Sequence, residues 1–320
     1  MTQRERNPFP YSDSNKRYHT YDYYLRQRYG AKVAKIPLDA GMTCPNLDGR
    51  CGVGGCIYCS GRGSGDFAAS PALSFAEQAE IIRAQLKRKW AVDRCIPYLQ
   101  AHTNTYAPID LLRLRYEEAL ALPGAVGLNI ATRADCLPAD VTALLAEFAE
   151  RTDLTVELGL QSAHDVTAQR INRGHTWADF VDGYTRLRAA SPKIMICVHL
   201  IFGLPGESRE MMLESVRRLA ALRPDGVKLH LLHVLRETAL AEDYLAGRYL
   251  PMTRETYIET VCDALELLPP ETVICRLTGD GMAEALLVPE WSRRKISVIN
   301  DIDKAMYVRN SVQGMHFCDN

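Results

Sequence analysis

Four cysteines fall in the sixteen-residue stretch CPNLDGRCGVGGCIYC: Cys44, Cys51, Cys56 and Cys59. Thiols at that density bind metal or do redox chemistry. A structural zinc site usually closes with four ligands in two short-spaced pairs. Only Cys56 and Cys59 form such a pair, and no CxxC or HxxxH partner follows downstream. Three thiolates on a four-iron cluster would instead leave one iron open to a further ligand. Gly49, Gly52, Gly54 and Gly55 flank the cysteines and let backbone wrap a bulky inorganic core with few side-chain clashes. That use needs Cys56, Cys59 and one more thiol. Cys44 gives the spacing C-x11-C-x2-C and Cys51 gives C-x4-C-x2-C.

Such a loop needs a scaffold, and the chain supplies one by alternation. From residue 31 on, short β-rich runs alternate with amphipathic helical stretches. The strand candidates are 34–40, 96–104, 126–133, 154–162, 194–203, 226–234 and a weaker run at 273–279. Among the helices, SFAEQAEIIRAQLKRKW opens with a capping box, Ser74 followed by Glu77. Regular βα alternation implies parallel strands. The period-two faces choose the architecture. Glu157, Gly159 and Gln161 share one face of their strand, as do Gln100, His102 and Asn104, Asn129 and Arg133, Cys197, His199, Ile201 and Gly203, and Lys228 and His230. A doubly wound sheet buries both faces and reads as continuously apolar, so one polar face per strand predicts a barrel lumen lined with working groups. The expected fold is α/β, an incomplete (β/α)6 TIM-like barrel over 31–280. An N-terminal extension (1–30) and a helical C-terminal extension (281–320) flank it. The site is expected at the C-terminal strand ends, where the cysteine loop follows the first strand.

Composition sets outer bounds. The chain has 320 residues, 47% hydrophobic, with a formal net charge of −1 and ten cysteines. It is long enough for a substantial core, and its charge gives no global attraction to nucleic acid. No run of about 18 apolar residues could span a bilayer, and MTQRERNPFP is not a signal peptide. A cytoplasmic, reducing location without membrane attachment is expected, which favours thiols and metal ligands over disulfides. The N-terminal segment interleaves six of the fifteen tyrosines with Lys16, Arg17, His19, Arg26 and Arg28. It reads either as a helix packing tyrosines on the barrel or as a stacking, phosphate-contacting arm. Cys95, Cys136, Cys197, Cys262, Cys275 and Cys318 are scattered and read as packing. Oligomeric state leaves no mark in the sequence.

An ordered set of segments carries a family resemblance: MTCPNLDGR…GGCIYC, LQAHTNTYAP, TRADCL, VELGLQS, INRGHT, HLIFGLPGES, KLHLLHVLRETAL, RLTGDG and PEWSRRKISVIND. The chain resembles a radical S-adenosylmethionine (SAM) enzyme. More narrowly, it is similar to the YhcC/YtqA-like group, related to the Elongator catalytic subunit and the oxygen-independent coproporphyrinogen oxidases. The resemblance implies a [4Fe–4S] cluster on Cys44, Cys56 and Cys59, with Cys51 surplus. It also implies SAM chelating the open iron, where one electron would release a 5′-deoxyadenosyl radical that abstracts hydrogen. On the same ground Tyr58 falls where relatives place an aromatic near adenine, and Thr103 and Asn104 stand at the amine-binding motif. Gln161 and Arg173 match polar and cationic cofactor contacts, and Gly203 lets backbone approach adenine. Glu157 is expected to touch cofactor or substrate, or else to pair with Lys228 inside the barrel. His199 replaces an acid of the coproporphyrinogen-oxidase branch, which weakens a porphyrin role, and no catalytic base is assigned. An electron donor such as flavodoxin or ferredoxin is implied.

Residues 1–43 lack the extra cluster cysteines of methylthiotransferases, and 281–320 are too few for an acetyltransferase domain. tRNA wobble-uridine modification is the leading expectation, with weak support from Arg83, Lys87, Arg88 and Lys89 on one helix and from Arg293, Arg294 and Lys295. The alternatives are radical oxidation of a small metabolite or tetrapyrrole, a non-enzymatic Fe–S electron carrier, and a zinc-stabilised scaffold.

Overall fold

The computed structural model describes residues 7–87, 93–279, 281 and 284–318. In chain order the elements begin with α1 (Tyr21–Tyr29), β1 (Ala34–Leu38), α2 (Phe75–Lys87), β2 (Cys95–Leu99), α3 (Ile109–Leu120) and β3 (Gly127–Thr132). They continue with α4 (Ala139–Ala149), β4 (Asp153–Gln161), α5 (Asp165–Arg170), α6 (Trp177–Ala190), β5 (Met195–Phe202), α7 (Arg209–Ala221) and β6 (Gly226–Leu231). The last are β7 (Val234–Leu235), α8 (Ala239–Leu245), α9 (Arg254–Leu267), β8 (Val273–Arg276), β9 (Leu286–Val288) and α10 (Lys295–Val308). Seven strands form one sheet in the order β1-β2-β3-β4-β5-β6-β8, every neighbouring pair parallel. The sheet curls into the partial barrel expected, and the weak run at 273–279 is its seventh strand.

The period-two split explains the curl. Leu128, Ile130, Val156, Leu158, Ile196, Val198, Val227 and Leu229 point outward into one continuous core under the helices. The opposite faces carry the polar groups inward. Helix α2 starts as its sequence dictates: the Glu77 N–H donates to Ser74 Oγ (3.3 Å) while Ser74 N–H donates to Glu77 Oε2 (2.8 Å). Arg88 and Lys89 lie outside the described residues.

The tyrosine-rich segment packs rather than reaches out. Thr20 bridges to Ile274 beside β8, and the Ile274 N–H donates to His19 O (2.7 Å). Helix α1 then places Leu25, Tyr21, Tyr24 and Tyr29 on Val33, Ile96 and Val126, at the N-terminal strand ends. Arg28 pairs with Asp153 and Arg26 with Asp13 and Asp22. This is the packing alternative for Tyr21, Tyr24 and Tyr29, and Tyr18 joins the main core. At the other end, β7 pairs antiparallel with β9. A second apolar cluster including Ile201, Leu204, Leu232, Val234, Leu240 and Tyr249 forms beside them.

Candidate active site

The cysteine loop occupies the long connection from β1 to α2, at the C-terminal strand ends. Two asparagines fasten it. Asn46 Nδ2 donates to Asn172 O (2.5 Å) and Arg173 O (2.9 Å), and Asn172 Nδ2 donates to Val53 O (3.0 Å) and Gly55 O (2.7 Å). Gly174 has φ +76°, and a Cβ there would lie 2.3 Å from Asn46 Oδ1, so this turn admits only glycine. The segment INRGHT is therefore largely a buckle for the loop. Its signal was the Asn-x-Gly pair, residues that tolerate left-handed backbone, but its partner was invisible. Ile57 is held on both sides, its N–H donating to Ile171 O (3.1 Å) and its O accepting from Leu240 N–H (2.9 Å).

Cys44, Cys56 and Cys59 line one cavity of about 410 Å³ at the barrel mouth. Cys51 does not. It lines a separate cavity of about 480 Å³ with Asp135 and Cys136, and its Sγ lies 3.8 Å from Asp135 Oδ2. Cys59 hydrogen-bonds to Cys56, and with Arg173 Nη1 3.9 Å from Cys56 Sγ this holds Cys56 well below the usual thiol range despite its burial. Asn46 Nδ2 adds a donor at 3.6 Å. Such a sulfur is prepared to be a thiolate ligand.

Tyr58, Thr103, Gln161, Arg173, His199 and Glu157 line the same cavity. Tyr58 packs on the second apolar cluster. Gln161 sits at a β-bulge with φ +72° that re-aims its side chain at the end of β4. Arg173 Nη2 donates to Gly159 O (2.5 Å), and a Cβ on Gly159 would crowd Gln161 Nε2 (2.7 Å) and Arg173 Nη2 (2.9 Å). Glycine at 159 is what lets both side chains enter the lumen.

Two expected contacts are placed elsewhere. Asn104 is absent from the lining; its Nδ2 donates to Leu99 O, Ala101 O and Ala131 O (3.0–3.1 Å), which is the loop-fixing role such a residue also has. Gly203 faces Met252 and accepts from Tyr249 OH (2.8 Å). Its close approach is to Met252, which packs against the main core.

Glu157 forms the ion pair with Lys228 and lines the cavity as well. Its buried carboxylate accepts from Lys35 Nζ (2.8 Å), Tyr98 OH (2.6 Å), Asn129 Nδ2 (3.1 Å), His199 Nε2 (2.9 Å) and Lys228 Nζ. Burial disfavours the charged form, but Lys228, Lys35 and His199 outweigh it and hold the carboxyl well below the usual range. Burial and the charge of Lys228 push His199 down to about 4, so it is neutral at pH 7. Sequence reasoning assigned no role to Arg133, Arg276, Gln100 and His102, which also line the cavity; alternation had placed Arg133, Gln100 and His102 on lumen faces without saying which would reach the site.

Residues 49–219, over half of the chain, match the family described as the Radical SAM superfamily. The chain belongs to that superfamily. Residues 224–308 match its C-terminal domain. Protein YtqA of Bacillus subtilis (strain 168) is 46% identical over 313 residues, covering 98% of this chain and 97% of YtqA. Protein YhcC of Escherichia coli (strain K12) is 35% identical over 294 residues, covering 91% and 92%. In structure, the archaeal Methanocaldococcus infernus Elp3 lacking its N-terminus aligns with a TM-score of 0.66 at 19% identity, covering 88% of this chain and 64% of that one. That likeness shows the shared barrel.

As a radical SAM enzyme the chain has to accommodate a [4Fe–4S] cluster and SAM. The residues present fit both. Three thiols line one cavity, the buried Nε of Arg173, which lines it too, has no hydrogen-bond partner among the described residues, and the cavity falls within the roughly 300–1,000 Å³ of ligand pockets. Among those residues no helix is long and apolar enough to cross a membrane.

Proposed function

We propose that Cys44, Cys56 and Cys59 hold a [4Fe–4S] cluster whose open iron takes SAM, and that the enzyme abstracts hydrogen from a tRNA wobble uridine. The observation that carries this is the sharing of one cavity by those three thiols and the polar lumen, while Cys51 faces another. The cluster and SAM, when bound and given one electron from a flavodoxin- or ferredoxin-type donor, would supply a 5′-deoxyadenosyl radical. The chain's own residues then have three tasks. Arg173, with paired donors, suits the cofactor's carboxylate; Thr103 and Gln161 orient its polar groups; Tyr58 and the apolar cluster behind it shield adenine and exclude water from a reactive species.

The wobble-uridine assignment rests on the kinship with YhcC/YtqA-like and Elongator-type proteins. A base flipped out of its stack is of a size for such a mouth. The basic helix contributes less than its sequence suggests, because Arg83 Nη2 donates to Cys95 Sγ (3.3 Å) and to Pro123 O. The cavity's size also suits a free metabolite. One comparison decides between them: tRNA nucleosides from cells with and without this protein. A single wobble nucleoside that changes, and is restored by the wild type but not by Cys56→Ala, is the expected result. Unchanged nucleosides transfer the reaction to a small molecule.

A further inference from the structure

Most polar side chains around the lumen already have partners. Glu157 holds Lys35, Lys228, Tyr98, Asn129 and His199. Arg133 is committed to Asp135 and to Arg173 O (2.8 Å), and Arg173 to Gly159 O (2.5 Å). Arg276 and His233 are engaged as well. The Gln100 carboxamide is different. It lines the cavity, half-buried, and enters none of the side-chain hydrogen bonds among the described residues. Gln161 carries a similarly open carboxamide, but it shares the space above Gly159 with the Arg173 guanidinium and so belongs with the cofactor contacts.

The chain around Gln100 is fixed from both sides. Gln100 N–H donates to Leu38 O (3.1 Å), the carbonyls of Leu99 and Ala101 accept from Asn104 Nδ2, and His102 N–H donates to Gly63 O (2.8 Å). A held backbone that presents an unused amide is preorganised for a ligand. The register that pairs Leu99 with Ile130 brings Gln100 level with Ala131, and Ala131 pairs with Glu157. Ala131 also lines the cavity, and its short side chain leaves the lumen open between Gln100 and Glu157. Burial lowers His102, and burial with neighbouring charge lowers His199 and His230, so all three imidazoles are neutral at pH 7. With Glu157 and its lysines paired to one another, this wall suits an uncharged polar ring.

We propose that Gln100 reads the substrate base, its carboxamide donating to a ring carbonyl and accepting from the adjacent ring N–H of a neutral imide such as uracil. A carboxamide carries a donor and an acceptor side by side, and the N3–H of uracil with a neighbouring carbonyl presents the complement. The inference rests on the proposed function, which brings a uridine to this mouth. It deepens that reading by naming the edge by which the base is held. A uracil entering base-first turns its imide edge to Gln100 and keeps its C5–C6 edge free of that contact.

The test uses cluster-loaded, SAM-saturated protein under anaerobic conditions and without reductant, so that nothing turns over. Fluorescence anisotropy reads its affinity for two end-labelled anticodon stem-loop RNAs that differ only at the wobble nucleoside. One carries uridine and the other 3-methyluridine, in which a methyl group replaces the N3 hydrogen. Wild type is expected to bind the uridine RNA about tenfold or more tightly, the scale of a buried polar group left unpaired. Gln100→Leu should lose affinity for the uridine RNA by a similar factor and bind the two RNAs within about twofold of each other. A merely structural role would leave that ratio where it is in wild type. Gln100→Ala supplies the same comparison if the leucine variant fails to fold. Equal binding of both RNAs by wild type, or a uridine preference that survives in the variants, overturns the assignment. So does a loss of SAM affinity in the variants, which would give Gln100 to the cofactor. Wild-type protein that binds neither RNA would instead refute the proposed function, and that is read before any variant is compared.

Discussion

Replacing Cys44 with alanine is expected to reduce reconstituted iron from about four per chain to below about one, while Cys51→Ala retains the full complement. The difference follows from where the two thiols face. Cys44 shares its cavity with Cys56 and Cys59; Cys51 hydrogen-bonds to Asp135 on another cavity, beside Cys136. Bringing Cys51 around would break the turn in which its N–H donates to Pro45 O (2.9 Å) and disturb Asn46, the residue that fastens the loop to Arg173. The superfamily match begins at residue 49, after Cys44, so the choice between the two thiols rests on this geometry. Normal iron in Cys44→Ala together with lost iron in Cys51→Ala would reverse the assignment.

The second large effect concerns stability. Glu157→Gln removes the one carboxylate among the described residues seen to pair with Lys35 and Lys228, of which Lys228 is buried and Lys35 half-buried. Breaking such a pair leaves uncompensated buried charge and costs about 3–5 kcal/mol. Exposed pairs such as Arg113 with Glu147 are worth about 0–1 kcal/mol. The pH dependence has a definite sign. Because the folded-state pKa of Glu157 is depressed, its contribution is complete above the ordinary carboxyl value of 4.5 and is lost as pH falls through the lower folded value. Denaturant unfolding of wild type and Glu157→Gln should therefore show a constant gap from pH 6 to 8 that narrows only in acid. A gap below about 1 kcal/mol at pH 7, the scale of an exposed pair, would mean that water or another group already compensates the lysines.

The alternation of polar and apolar residues along β4, β5 and β6 was enough to read the barrel and its lumen, since a two-residue period leaves no freedom about which face a side chain takes. Strand β2 shows the limit of the same rule. Its polar alternation runs on to Asn104, but the strand stops at Leu99, because His102 adopts φ +59° and Asn104 turns inward to bind three carbonyls. The tyrosine segment was ambiguous because what decides it lies far along the chain: Arg28 finds Asp153, and Lys35 sits over the Tyr21 ring. Glu157 with Lys228 was foreseeable from facing positions, whereas Lys35, Tyr98 and Asn129 converge on it from three further strands that only the curl of the sheet brings together. Gly203 misled for a related reason. A glycine at a strand end signals close approach without naming what approaches, and here it is Met252.

The central claim is that three thiolates leave one iron open to SAM within the barrel mouth. Electron paramagnetic resonance of the anaerobically reduced, reconstituted protein, recorded with and without SAM, tests it most directly. The account predicts a [4Fe–4S]⁺ signal whose g-values shift on adding SAM, with the shift absent in Cys44→Ala. A cluster signal indifferent to SAM, or protein that binds zinc and no iron, would contradict it.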